Sequence, residues 1–180
     1  MIISFSKYNI SLGDHTRMVT DQGPTSKEPK LPIQIREYNS ADEEQVNKIN
    51  QESLEISFRF YYEIFHKTEP DLFLVAEYED EIIGFILVKD GENFGEAPTA
   101  IIYAIAVSPS YRSQGIGTQL VNAIANVLHQ RQIKKLFLHV RVGNKKAIKF
   151  YQNTGFTEIQ KIKEFYSWGE DALRMVLLID

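Results

Sequence analysis

Twelve residues near the middle of the chain, Val107-Ser108-Pro109-Ser110-Tyr111-Arg112-Ser113-Gln114-Gly115-Ile116-Gly117-Thr118, restrict the fold more than any other stretch. Thr99 to Val107 is rich in strand formers and reads as a buried strand. After the turn at Pro109, apolar residues recur at Ile116, Leu120, Ile124 and Val127, one face of a helix running from Gly115 to Gln130. A strand that passes through a tight turn into an amphipathic helix belongs to a layered α/β protein. The first N–H groups of such a helix have no internal partners. With the helix dipole they make an anion site, and glycine lets a bulky pyrophosphate approach without a Cβ in the way. Arg112 adds a positive charge near the mouth. The segment is not a dinucleotide fingerprint, because Leu120 stands where a third glycine belongs, and no Gly-Lys-Ser/Thr makes it a P-loop. Gly-x-Gly by itself also begins many helices that bind nothing.

The flanking sequence extends the same architecture. Ile33 and Ile35 alternate with polar residues as in a strand, and Ser40-Ala41-Asp42-Glu43 reads as a capping box opening a helix that carries Val46, Ile49 and Leu54. Phe58, Tyr61, Tyr62 and Phe65 mark a second short helix. Leu72–Tyr78 and Ile82–Lys89 form a hairpin around Glu79-Asp80-Glu81, and Asp90 to Pro98 is a loop. Beyond the central helix the expected order is a strand over Lys135–Val142, a helix over Lys145–Asn153 stopped by Gly155, and strands over Phe156–Lys163 and Ala172–Ile179. Residues 1–31, broken by Gly23, Pro24 and Pro29, read as an N-terminal arm, and residues 32–180 as one domain. Ile2, Ile3 and Phe5 give the arm a few apolar groups for packing.

Composition removes several classes of function. The 180 residues include no cysteine, which excludes disulfides, thiolate metal sites and a cysteine nucleophile. The formal charge of −4 and the lack of a basic stripe speak against nucleic acid as the main partner. No apolar run approaches the roughly 18 residues of a membrane span, and Met1 to Ile10 lacks the pattern of a signal peptide. A cytoplasmic protein is the expectation, with no resident metal.

Arg112-x-x-Gly115-x-Gly117 after a strand resembles the acetyl-CoA-binding motif of the GNAT superfamily of N-acetyltransferases. The resemblance runs from about Ile33 to Asp180. It implies the GNAT fold, a mixed and mostly antiparallel sheet flanked by helices, whose central strands splay apart to bind acetyl-CoA. It implies that backbone N–H groups around Gln114, Gly115, Ile116, Gly117 and Thr118 hold the pyrophosphate, and that Ile105, Ala106 and Val107 pair with the pantetheine amides.

Leu138-His139-Val140-Arg141, Asn144, Ala147-Ile148 and Tyr151, with the later run Phe165-Tyr166-Ser167-Trp168-Gly169-Glu170-Asp171-Ala172, are most similar to the archaeal and the eukaryotic NatA- and NatE-type N-terminal acetyltransferases, which are RimI-like enzymes. The resemblance implies direct transfer of acetyl to a protein N-terminal α-amine, with Asn144 at the pantetheine and Tyr151 near the CoA sulfur. The general base stays open among three residues. His139 matches a catalytic strand histidine of the NatE type, and imidazole accepts protons near neutral pH. By ungapped counting, Ile101 stands where that type places a tyrosine, and Tyr103 lies two residues on, along the same strand face. Glu55 lies near the glutamate of the NatA type, offset by about a residue. Leu54, Glu55 and Phe58 from one loop and Phe165 and Tyr166 from another are expected to enclose the acceptor peptide, together with Tyr103 and His139. Transfer to lysine or a small amine is the alternative, and neither ribosome association nor an auxiliary subunit can be read from the residues.

Overall fold

Thr99 to Val107 is the pivot of the architecture: it forms a central strand whose two edges behave differently. A computed structural model describes residues 32–54, 56–91 and 98–180; the N-terminal arm and Glu55 lie outside the described residues. In chain order the strands are β1 (Gln34–Glu37), β2 (Phe73–Tyr78), β3 (Glu81–Asp90), β4 (Thr99–Val107), β5 (Lys135–Arg141), β6 (Thr157–Ile162) and β7 (Ala172–Leu178). The helices are α1 (Glu43–Ser53), α2 (Arg59–Thr68), α3 (Ile116–Gln130) and α4 (Lys145–Asn153). The strands form one sheet in the order β1-β2-β3-β4-β5-β7-β6. Every pairing is antiparallel except β4 with β5, so this is the mixed, mostly antiparallel α/β fold expected.

The parallel pairing is brief. Thr99, Ala100 and Ile101 lie beside Lys135, Leu136 and Phe137, and no further pair follows. Beyond Ile101, β4 stays on β3 as far as Val107, while β5 stays on β7 as far as Arg141. The sheet therefore forks in its middle. A β-bulge accompanies the fork: Leu87 pairs with Ala104 and Val88 with Ile102, which leaves Tyr103 as an extra residue on β4. Such an insertion bends the strand that carries it.

Two apolar layers cover the sheet. On one face Ala100 and Ile102 of β4 and Leu136, Leu138 and Val140 of β5 pack against Ile116, Leu120 and Ile124 of α3 and Ile148 of α4. On the other face Ala104 and Ala106 pack with Val46 and Ile49 of α1 and Tyr62 and Phe65 of α2. Full burial of a Leu or Ile contributes about 1.5–3 kcal/mol relative to exposure, so these layers fix where α3 and α1 sit. The start of the first helix differs from the sequence reading. Asn39, not Ser40, is the N-cap: its side chain accepts from Ala41 N while Asp42 accepts from Asn39 N, closing a capping box around a short 3-10 turn, Ser40–Asp42. Asp42 is also held by two hydrogen bonds from Arg36, which pin this turn to β1. No helix among the described residues is long and apolar enough to cross a membrane.

Candidate functional site

The fork separates two halves of a site. On one side, the loop between β4 and α3 turns through Ser113 and Gly115, with φ of 65° and 77°. The conformation at Gly115 is one that residues with a Cβ rarely adopt, and a Cβ there would meet nothing within 4 Å. Open space thus lies in front of the first turn of α3. Gln114 and Gly115 are exposed, Gly117 and Thr118 are half-buried, and the Ile116 side chain is buried in the core, leaving only its backbone available to a ligand. Gly117 has a second reason to be glycine, because a Cβ would stand 3.0 and 3.1 Å from ring carbons of Phe150 on α4. Close packing of α3 on α4 is therefore built into the same motif. Arg112 is exposed, and its guanidinium is tied to two neighbours. Its Nε donates to the Val107 carbonyl at 3.0 Å and Nη2 to Ser53 Oγ at 2.8 Å, tying this loop to the end of α1. Ile105 and Val107 turn to the α3 layer and Ala106 to the α1 layer, on the part of β4 that has parted from β5.

Past the end of β5, Asn144 caps α4 by accepting from Ala147 N at 3.1 Å. Arg141, Gly143, Asn144, Lys145, Lys146 and Glu170 border an open concavity of about 460 Å³. Tyr151 is half-buried among Phe150 and Phe156, with ring centroids 5.2 and 5.6 Å away. Burial, followed by the nearby Tyr166, raises its pKa well above that of a free phenol. The hydroxyl remains protonated through the physiological range, as a proton donor requires.

The strand residues expected at the acceptor, His139 and Tyr103, lie on the face covered by α1 and α2. Alternation along β5 puts Phe137, His139 and Arg141 on this face, opposite Leu136, Leu138 and Val140. His139 stacks on Phe165 from the β6–β7 loop, with centroids 4.5 Å apart and an interplanar angle of 27°. Its pKa is pushed down to about 4, first by burial and then by the charge of Arg174. Arg174 is the cross-strand partner of His139 on β7, and its guanidinium carbon lies 4.8 Å from the centre of the Phe137 ring. Tyr103 packs with Ile101, Phe137 and Val176, so it shares the face with His139, as the counting of residues led us to expect. Tyr61 and Phe65 of α2 close over Tyr103 at 5.9 and 5.5 Å.

Two loops flank this floor. Leu54 and Phe58 are half-buried, and the loop they bound is held from beneath by buried Asn50. The Asn50 amide donates to the Ile56 carbonyl at 3.0 Å, and its oxygen accepts from Phe58 N and the Tyr62 hydroxyl. In the second loop Tyr166 stacks on Trp168 at 4.9 Å and meets Phe165 edge-on at 5.0 Å. Glu170 secures that loop, accepting from the Trp168 indole at 3.3 Å and from Arg141 at 3.5 Å.

His139, Tyr103, Phe165 and Tyr166 are thus brought to one side of the sheet, while Gln114 to Thr118 and Asn144 border the other half of the fork. Glu55 lies outside the described residues and has no position here. Sequence reading missed Arg174 and Asn50. Arg174 had a signal, a lone cation inside the apolar run Ala172–Ile179, but its cross-strand partner cannot be read from a single chain. Asn50 looks like any polar helix residue until its burial is known. Among the described residues, no group of three His, Cys, Asp or Glu side chains is arranged to hold a metal.

Comparison with known proteins identifies the family and the fold. Residues 34–156 match the Acetyltransferase (GNAT) family. An N-alpha-acetyltransferase of Sulfurisphaera tokodaii is 33% identical over 150 residues, covering 78% of this chain and 90% of the relative. The crystal structure of Ard1 from Thermoplasma volcanium superposes with a TM-score of 0.75 at 26% identity, covering 83% of this chain and 99% of that one. Naa20 of Chaetomium thermophilum, solved with a bisubstrate analogue, gives 0.74 at 26% identity over 81% of this chain and 86% of that one.

Proposed function

This chain belongs to the acetyltransferase (GNAT) family, and from that premise we propose that it transfers the acetyl group of acetyl-CoA to the N-terminal α-amine of proteins. The observation that favours an α-amine over a lysine is the 33% identity, over 78% of the chain, to an N-alpha-acetyltransferase of Sulfurisphaera tokodaii; His139, its pKa pushed down to about 4 by burial and Arg174, is a weak base in keeping with it. Taking a proton from an α-ammonium, pKa about 7.7–8.0, onto such a base is uphill by about 5 kcal/mol, and from a lysine ammonium by about 9 kcal/mol. The site therefore suits an amine that is already neutral. At pH 7 about one α-amine in ten is neutral, against about one lysine in 2,500.

In this reading acetyl-CoA lies in the fork. Its pyrophosphate meets the backbone N–H groups from Gln114 to Thr118, and its pantetheine runs along Ile105, Ala106 and Val107 and past Asn144. Arg112 acts by holding the loop rather than by touching the phosphates. The peptide enters between the Leu54–Phe58 loop, with Glu55 at its midst, and Phe165 and Tyr166. The neutral amine attacks the thioester carbonyl, the new C–N bond forms and the C–S bond breaks. Attack makes the nitrogen acidic; its proton passes to neutral His139, and the imidazolium so formed, disfavoured by burial, releases it to solvent. Tyr103 borders the path and Tyr151 protonates the departing thiolate. The lack of cysteine agrees with transfer in a ternary complex and with a reducing, cytoplasmic setting. Residues 32–180 carry all of this chemistry, and residues 1–31 are an appendage to it.

The test is a set of peptides, each with an internal lysine and either a free or a blocked α-amine, incubated with acetyl-CoA and read by mass spectrometry. Acetylation confined to free α-amines is expected. Equal labelling of lysine in blocked peptides would favour the lysine or small-amine alternative.

A further inference from the structure

Building on α-amine acetylation, we propose that Asn50 is a positioning residue for the acceptor: its side-chain amide holds the loop after α1 in the form that receives the peptide, and so governs peptide binding while leaving acetyl-CoA binding alone. Asn50 lies near the end of α1 and is 1% exposed. A polar group at that depth is costly unless its atoms find partners. Asn50 finds them in the residues that follow it. Its Nδ2 donates to the Ile56 carbonyl at 3.0 Å, and its Oδ1 accepts from Phe58 N at 3.3 Å and from the Tyr62 hydroxyl at 3.2 Å. Its backbone carbonyl accepts from Leu54 N at 2.8 Å and closes α1. One residue therefore fixes the backbone at Leu54, Ile56 and Phe58 and ties it to α2.

The amide suits this task better than other side chains of its size. The Ile56 carbonyl needs a donor, and the Phe58 N–H, two residues on, needs an acceptor. A planar amide offers both at once, much as a peptide group on a neighbouring strand would; aspartate only accepts, and leucine does neither. The hold reaches the acceptor face through packed rings. Phe58 meets Tyr61 with centroids 6.4 Å apart, Tyr61 meets Tyr103 at 5.9 Å, and Tyr103 lies on the face that carries His139. A loop released from Asn50 must be ordered again each time a peptide binds, and that entropy is taken from peptide affinity. The route to acetyl-CoA is separate. The tie between α1 and the β4–α3 loop runs through Ser53 and Arg112, whereas the bonds of the Asn50 side chain go to residues 56, 58 and 62.

The experiment compares wild type with four variants. Asn50→Leu removes both loop bonds, and Asn50→Asp keeps the acceptor and loses the donor. Tyr62→Phe removes the hydroxyl and leaves both loop bonds in place. Ile133→Ala loosens the core on the opposite face of the sheet and serves as a control for general destabilisation. Peptide KM and kcat are measured on a free-N-terminus peptide, acetyl-CoA Kd by calorimetry, and exchange of the Phe58 amide by NMR. Asn50→Leu should raise peptide KM at least about tenfold, the worth of two hydrogen bonds, with acetyl-CoA Kd within about twofold of wild type. Asn50→Asp should raise peptide KM at least about threefold, and Tyr62→Phe and Ile133→Ala should stay within about twofold. A wild-type peptide KM in Asn50→Leu, a matching loss of acetyl-CoA affinity, or an equal rise in Ile133→Ala would overturn the proposal. Should Asn50→Leu not fold, Asn50→Asp decides on the same criteria. If wild type acetylates no free α-amine, the functional reading fails on its own, and the Phe58 amide then decides the role of Asn50: exchange at least about tenfold faster in the Asn50 variants is expected, and unchanged exchange overturns it.

Discussion

Lowering the pH from 7.5 to 5 should destabilise the protein through His139, and the size of the loss follows from its surroundings. The imidazole is half-buried beside a guanidinium, with a folded pKa of about 4, below the value near 6.5 of an unfolded histidine. The unfolded chain therefore binds the proton more readily. Stability from the neutral ring is fully present above about pH 6.5 and is lost as pH falls toward the folded pKa near 4. The total is at most about 3 kcal/mol, and about 2 kcal/mol of it is gone by pH 5, less whatever water around the half-buried ring screens. Urea denaturation of wild type and His139→Gln at both pH values isolates the term, since every other titrating group contributes equally to both proteins. Wild type should lose about 1–2 kcal/mol more than the variant between pH 7.5 and pH 5. Equal losses would show that the ring protonates in the folded protein as readily as in water, and the argument for a neutral acceptor would fail with it.

Gly117→Ala should lower stability by about 1 kcal/mol, because the crowding against Phe150 at 3.0 Å outweighs the gain in helix propensity; adding Phe150→Leu should recover the loss. Thermal melts of the single and double variants check this, and a stabilised single variant would contradict it. Tyr151→Phe should cut kcat by at least about tenfold while acetyl-CoA affinity changes by less than about threefold, since only a proton donor is removed. Calorimetry and single-turnover rates separate the two, and an unchanged chemical step would leave Tyr151 as packing.

The order of strands and helices was readable because each element carries its own local period. β4 and α4 begin and end at the residues that periodicity marked, Thr99–Val107 and Lys145–Asn153. The first helix was misplaced at its cap because Asn39 and Ser40 are both good N-caps, and only the tie between Asp42 and Arg36 chooses between them. The face of His139 followed from simple alternation along β5. What stands across from it did not: Arg174 is 35 residues away in sequence and reaches His139 only through the β5–β7 register. The same holds for the tie between Arg112 and the Ser53 hydroxyl, 59 residues earlier, which no local period announces.

The bulge at Tyr103 has a consequence for the length of the chain. Ala100, Ile102, Ile105 and Val107 face the α3 layer, while Ile101, Tyr103, Ala104 and Ala106 face the other way, so Tyr103 and Ala104 are neighbours on the same side. Striking out Tyr103 would restore strict alternation and leave each remaining side chain of β4 on its present face. Designed relatives one residue shorter at this point would therefore keep the alternating hydrophobic pattern and the α3 layer. They would lack the bend and, with it, the Tyr103 ring that meets Tyr61 and Phe65. The opening in the sheet is in this sense written in the number of residues in β4 rather than in their kinds, and an aligner that slides a gap past Tyr103 would erase it unnoticed.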